Sequence, residues 1–581
     1  MNSTRRRVLG AGIAATAIAA LVAGTPAAAK GKPETKGNPN LTSIQLLSFN
    51  DYHGHLEPTD GPLSRTLDPS QTPAGGGVHL ATALAELRKS APGGNSLTVA
   101  AGDLIAGSPF LSGLFHDEPS VESLNAMHLD VSSVGNHEFD EGTDELLRMQ
   151  NGGCHPVDGC YFPNQPYAGA DFSWLAANVV KKSDGQTLLP GSWVKSIGGT
   201  KVGFIGMTLE GTPTLVDPAG VASVDFKDEV ETANMQAAAL KKQGVKAIVV
   251  LLHEGGYQSG TYQQCVGISD PIKTIAETMT PEVDAIVTGH THQPYVCDIP
   301  DPAGNPRLVT SAASYGQVVT DTTLVVNTKS GEVMRDRTSA TNVLVARSTY
   351  PADPTQQSII AKWNSLAGAL GQRVVGSNTE DILGDSSTCR CAETPMGDLV
   401  ADAMLWGTQA PENGGAQISL MNIGGVRASL RYAPKYTEGA GQITYKEAYD
   451  IAPFGNILTS MDLTGAELKA VLEQQYVPGR PGGRDALALG VSEGFSYTWD
   501  ATQPAGSRVV PGSMTLNGQT MDMGATYRVS TLNFLANGGD SFTAFSAGKN
   551  ILGGNEDLAN LVAYFEANPG LTAPADRVSG L

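Results

Sequence analysis

A chain of 581 residues is too long for one hydrophobic core and predicts at least two domains. Its hydrophobic content of 41% fits globular protein and not a membrane bundle. A formal charge of −20 excludes a broad phosphate-backbone surface, which needs clustered lysine and arginine, but leaves room for a small anion in a locally cationic cleft.

The chain begins with an export-like segment. Thr4-Arg5-Arg6-Arg7-Val8-Leu9 has a twin-arginine pattern, an apolar run to Gly24 follows, and Ala27-Ala28-Ala29 offers small residues for cleavage. The rival reading, an uncleaved anchor, is disfavoured by the short Ala- and Gly-rich run. Residues 1–29 are therefore expected to be a signal peptide and the mature protein to be secreted. No later apolar run has the length to span a bilayer, so no membrane association is expected after cleavage.

Short aliphatic and β-branched runs then recur with a common ending. IQLLSFN leads into Asp51-Tyr52-His53, LTVAAG into Asp103, and LDVSSVG into Asn136-His137. VKAIVVLL leads into His253-Glu254, and VDAIVTG into His290-Thr291-His292. Each run reads as a buried strand, and the segments HLATALAELRKS and TANMQAAALKKQG between them have helical periodicity. The fold class is α/β, in which ligands gather at the carboxyl ends of strands. A single strand-end Asp or His is usually a turn or a satisfied core residue. Five such endings are poorly explained as turns.

All ten histidines lie between His53 and His292, so metal or acid–base chemistry is expected in the first half. Aspartate, asparagine and histidine supply oxygen and imidazole nitrogen without thiolate. That set suits zinc, manganese, cobalt or iron(II) and not a calcium cage. The candidates exceed what one tetrahedral ion uses, and two ions sharing a carboxylate would use them all. The six cysteines suggest disulfides in an exported chain: Cys154 and Cys160 around HPVDG, Cys265 with Cys297, and the close pair Cys389 and Cys391.

The motifs DYH, AGD, GNHEFD, HEGG and GHTH, in that order, resemble those of the calcineurin-like metallophosphoesterases. NIGGVR from Asn422, PFGN from Pro453 and FLANGGD from Phe534 narrow the resemblance to the secreted two-domain 5′-nucleotidases, a group with periplasmic UDP-sugar hydrolases and the animal ecto-5′-nucleotidase. The resemblance implies an N-terminal four-layer α/β metallophosphoesterase sandwich over residues 41–335, a helical linker over 336–375 and a C-terminal α/β nucleotide-binding domain over 376–575. The linker helix is expected from about Thr355 to Leu370.

The resemblance also implies roles. Asp51, His53, Asp103 and His292 would hold one divalent metal, and Asp103, Asn136, His253 and His290 a second, with Asp103 bridging; zinc or manganese is expected. Relatives with glutamine in place of His292 would bind the first metal differently. His137 and Asp140 would form a catalytic dyad, with the carboxylate orienting the ring and favouring its protonated form. Glu138 reads as a loop or helix-start carboxylate. Phe454 and Phe534 would stack the base. Asn422 and Asn456 would hydrogen-bond it or nearby backbone, Asp540 would accept from the ribose, and Arg390 and Arg427 would hold the phosphate, with Arg431 a substitute for Arg390. The expected reaction is hydrolysis of nucleoside 5′-monophosphates by hydroxide held between the metals. UDP-sugars, nucleoside di- or triphosphates and 2′,3′-cyclic nucleotides are the alternatives. A non-catalytic binding or adhesion protein and a sulfur-ester hydrolase are more distant ones. The expected partner is a small nucleotide, not nucleic acid, and the chain is expected to be a monomer.

Overall fold

The structure is a computed structural model that describes residues 40–58, 67–162, 164–216, 220–387, 389–480 and 484–581. The expected signal peptide lies outside the described residues.

Strands Leu41–Phe49, Ser96–Ala101, Val131–Ser133 and Ser173–Leu175 pair in parallel, and Val318–Asn327 and Ser339–Leu344 extend their sheet antiparallel. A second six-stranded sheet has four parallel strands, Leu308–Ser311, Ala285–Thr288, Ala247–His253 and Thr200–Thr208, flanked by antiparallel Tyr295–Asp298 and Ser192–Ile197. Alternation assigns the faces. Ile44, Leu46, Leu97 and Val99 meet Phe204, Val249 and Leu251 between the sheets. Leu47, Phe49 and Ala100 face helices Gly77–Arg88 and Glu118–Ala126. Ile248, Val250 and Leu252 face helices Glu229–Lys242 and Ile272–Thr278. The result is a four-layer helix–sheet–sheet–helix sandwich. It is strand-rich because both faces of both sheets are buried, which is why its strands read as continuous apolar runs.

The second domain has a five-stranded sheet in the order Leu489–Val491, Ile418–Asn422, Thr526–Leu532, Ile457–Thr464, Lys549–Glu556. Helices Pro395–Thr408, Gly465–Glu473 and Asp557–Ala567 cover it.

The connecting helix runs Pro354–Gly371, started by the Asp353 side chain, which accepts from the Thr355 and Gln356 N–H groups. It is anchored on the first domain. Gln356 exchanges hydrogen bonds with Ser123, and Trp363 Nε1 and Lys362 Nζ both donate to Glu122 at 2.8 Å. Trp363 is buried in a cluster that joins Phe110, Leu111 and Phe115 of the first domain to Met396, Leu399 and Phe565 of the second. The described cysteines all pair, as Cys154–Cys160, Cys265–Cys297 and Cys389–Cys391. Among the described residues no helix is long and apolar enough to cross a membrane.

Candidate active site

The parallel strands of both sheets end at one edge, and the backbone there is forced into an unusual shape. Asp51, His53, Asp103, His290 and His292 have φ of 50°, 46°, 51°, 69° and 56°. Non-glycine residues in that left-handed region cost about 1–3 kcal/mol each and persist where the surroundings over-determine them. The glycines before Asn136 and His290 have a steric reason. A Cβ on Gly135 would stand 2.2 Å from Asp103 Oδ1, and one on Gly289 would stand 2.6 Å from the Ala101 carbonyl. Glycine lets neighbouring strand ends converge until their side chains meet.

Those side chains converge in two groups that share one oxygen. Asp103 Oδ2 lies 2.9 Å from His253 Nε2 and 3.6 Å from His53 Nε2. On one side, Asp51 Oδ1 lies 3.1 Å from His292 Nε2 and 4.0 Å from His53 Nε2. On the other, Asn136 Oδ1 lies 2.9 Å from His290 Nδ1. His53 and His253 turn Nδ1 toward the carbonyls of Ala106 and Ala101, at 2.8 and 2.7 Å, which leaves each Nε2 facing the centre. The Nε2 atoms of His53 and His290 are buried with no hydrogen-bond partner among the described residues. Burial pushes the Asp51 carboxyl up to about 7, against the attraction of His253 and with Asp103 adding to the rise. Orphaned inward-facing donor atoms and a carboxyl disfavoured as an anion fit a pair of divalent cations.

His137 and Asp140 stand beside this cluster. His137 Nδ1 and Asp140 Oδ2 are 2.7 Å apart, and the His137 N–H donates to Asp103 Oδ1 at 2.9 Å. Burial pushes the imidazole pKa down, but Asp140 and Asp103 outweigh it and raise it. A ring atom of His137 also comes near enough to His53 and Asp103 to join a ligand group, so geometry alone permits two roles. Glu138 has a larger part than its position suggested. It is buried, and it accepts the N–H groups of Asp103 at 2.9 Å, Leu104 at 2.7 Å and Gly135. It stands at a helix start, as read from the sequence, but it is buried there and clamps two ligand-bearing loops together. The only sequence signal was one more acid inside a dense polar run.

The second domain forms the opposite wall of a cavity of about 220 Å³ bordered by Asp103, Asn136, His137, Asp140, His290 and His292. Arg390, Asn422, Arg427, Phe454, Asn456, Phe534 and Asp540 all border it. Phe454 lies parallel to the His137 ring, 5.9 Å between centroids, with the Arg427 guanidinium 5.5 Å from its own centroid. Phe534 sits against Gly539, where a Cβ would come within 2.5 Å of the ring. Asn422 Nδ2 donates to Asp540 Oδ2 at 3.1 Å, and Asn422 Oδ1 is buried without a partner among the described residues. The Asn456 carbonyl accepts the Asp557 N–H at 2.8 Å. Arg431 is exposed and paired with Asp381 at 2.9 Å, so the suggested substitute for Arg390 lies outside the cavity wall. Arg484, which the sequence reading missed, borders the cavity.

Comparison with known proteins agrees with both halves. Residues 46–294 match the calcineurin-like phosphoesterase family, and residues 374–547 match the 5′-nucleotidase C-terminal domain. The chain is 33% identical to "Endonuclease YhcR" of Bacillus subtilis over 90% of its own length, but spans only 40% of that protein. It is 31% identical to "Cell wall protein Lmo0130" of Listeria monocytogenes, over 90% of this chain and 67% of that one. Among solved structures, a 5′-nucleotidase precursor from Thermus thermophilus superposes with a TM-score of 0.74 at 28% identity, covering 93% of this chain and 99% of its own.

Proposed function

The chain belongs to the family that joins a calcineurin-like phosphoesterase domain to a 5′-nucleotidase C-terminal domain, and from that premise we propose that it is an exported, monomeric phosphoric monoester hydrolase that converts nucleoside 5′-monophosphates to nucleoside and phosphate. One observation carries the reading. The inward-facing ligand cluster around Asp103 and a wall holding two aromatic rings, two asparagines and Asp540 border the same cavity.

In this reading Asp51, His53, Asp103 and His292 hold one cation, and Asp103, Asn136, His253 and His290 the other, with zinc or manganese the metals such donors suit. Bound there, the metals supply Lewis acidity and an activated water. Asp140 holds the His137 ring through Nδ1, so that the protonated imidazole turns its other nitrogen to the developing charge on the phosphoryl oxygens. Asn136 adds an oxygen ligand without adding negative charge where an anion must bind. Phe454 and Phe534 take the base between them, Asp540 accepts from the ribose, and Arg390 and Arg427 hold the phosphate. The arginine-rich, alanine-rich leader and the relative named a cell wall protein support export.

The test is chromatographic analysis of the products released from AMP, UDP-glucose, ATP and 2′,3′-cyclic AMP, with and without EDTA, and with single-stranded DNA as a further arm. The expected result is EDTA-sensitive release that is fastest with AMP. Release from none of the small nucleotides defeats the reading, and faster release from another substrate moves the assignment to it.

A further inference from the structure

We infer that Arg484 is a phosphate-binding residue that grips the substrate's phosphoryl group from the His290 side of the cavity, opposite Arg427. The inference rests on the nucleotidase reading of the same site and adds a residue to it. Arg484 belongs to the second domain but reaches the first: Nε donates to the Tyr257 hydroxyl at 3.2 Å and Nη2 to the His290 carbonyl at 3.4 Å. Both acceptors are neutral and both bonds are long. Asp540 and Glu254 attract the guanidinium from a distance, but no carboxylate lies within 4.0 Å of it among the described residues.

Other arginines of this molecule are held in two ways. Arg148 has Glu118 and Glu145, Arg335 has Asp284 and Asp301, and Arg577 has Asp402. The fully buried Arg307 instead donates to the carbonyls of Ala276, Met279, Thr280 and Val283. Arg88 and Arg480, like Arg484, bond only hydroxyl or carbonyl oxygens, but of these three Arg484 alone borders the cavity. Two long bonds to neutral oxygens leave N–H groups of the guanidinium unused at the cavity wall, and an anion there would engage them.

The placement says which anion. Arg427 Nη2 lies 3.2 Å from the point where a Gly107 Cβ would stand, and that point is 3.5 Å from His53 Nδ1. Arg427 therefore flanks a ligand of one metal group, and Arg484 flanks His290 of the other. A tetrahedral dianion lodged over Asp103 would meet one guanidinium fork from each side, a geometry that arginine supplies and lysine does not. Arg390 sits further along the wall, where its Nη1 and Asp540 Oδ2 both lie 3.4 Å from a Cβ placed on Gly424.

The test reads phosphate binding without turnover. Inorganic phosphate is titrated calorimetrically into the metal-loaded full chain, as wild type, Arg484→Gln and Arg484→Lys. Arg373→Gln, which removes a surface guanidinium paired with Glu566, is the charge control. Arg484→Gln is expected to weaken phosphate about tenfold or more at unchanged metal content, with Arg484→Lys between it and wild type and Arg373→Gln unchanged. Unchanged affinity in Arg484→Gln, or equal weakening in Arg373→Gln, overturns the inference. If the glutamine variant fails to fold, Arg484→Met, which keeps the apolar stem, is judged by the same criterion. A wild type that binds phosphate but hydrolyses no nucleotide defeats the nucleotidase reading while leaving this result to stand by itself.

Discussion

His137 stands where two jobs meet, 2.7 Å from Asp140 and near the ligand atoms of His53 and Asp103. Its role is decided by what is lost when the ring goes. His137→Asn is expected to lower turnover of AMP by about 10²–10⁴-fold, the usual span for a group acting on a proton or a developing charge. Bound metal, counted by elemental analysis, should stay near two per chain; loss of one ion would make His137 a ligand. This residue was legible because the resemblance named the pair and a spacing of three residues let Asp140 reach the ring. Its neighbour Glu138 was not. Spacing cannot report that a carboxylate points inward and gathers three N–H groups from two loops, since those loops meet only in the folded sandwich. Arg484 was hidden for the same reason: its acceptors, Tyr257 and His290, lie on the other domain.

At the scale of elements, the loop closed by Cys154–Cys160 is docked by charge. His116 binds Glu141 through Nδ1 at 2.7 Å and Asp158 through Nε2 at 2.8 Å, and its ring stacks on His155 with centroids 3.7 Å apart. Burial pushes the His116 pKa down, but the bonds from Glu141 and Asp158 outweigh it and lift it from 6.5 to about 9. A folded value above the unfolded one means protonation stabilises the fold. The contribution is complete below pH 6.5 and is lost as pH rises through about 9. Because the group is partly solvated, about 1 kcal/mol is the expected size. The melting temperatures of wild type and His116→Gln should therefore differ at pH 6 and converge toward pH 10; a gap independent of pH would remove the charge from the explanation. The strands and their ligand-bearing ends were legible in the sequence because burial on both faces writes continuous apolar runs such as AIVVLLH. The tether between His116 and the disulfide loop was not, because its partners are dispersed along the chain and each alone reads as a surface charge.

For the whole molecule, the question is how a substrate enters a cavity with walls on two domains. A helical link between two domains gives one of them a place to pivot on the other. The structure limits where such a pivot lies. Helix Pro354–Gly371 is fixed to the first domain through Ser123 and Glu122, and a Cβ on Gly371 would come within 2.7 Å of Phe110. Movement must therefore begin beyond Gly371 and must part the apolar cluster where Phe110 meets Tyr445 and Tyr449. Phe454 already lies over His137, Arg484 reaches His290, and Lys446 Nζ pairs with Glu57 at 2.6 Å, so this arrangement is a closed one. If the base is to slip between Phe454 and Phe534, the domains must separate once per turnover. Cysteines at positions 57 and 446, joined by a short bifunctional maleimide, would hold them together. The joined protein is expected to lose at least about tenfold in steady-state turnover of AMP relative to the same variant capped at each thiol, with metal content unchanged. Equal rates would show that substrate and product pass without domain separation, and would return the linking helix to a purely structural part.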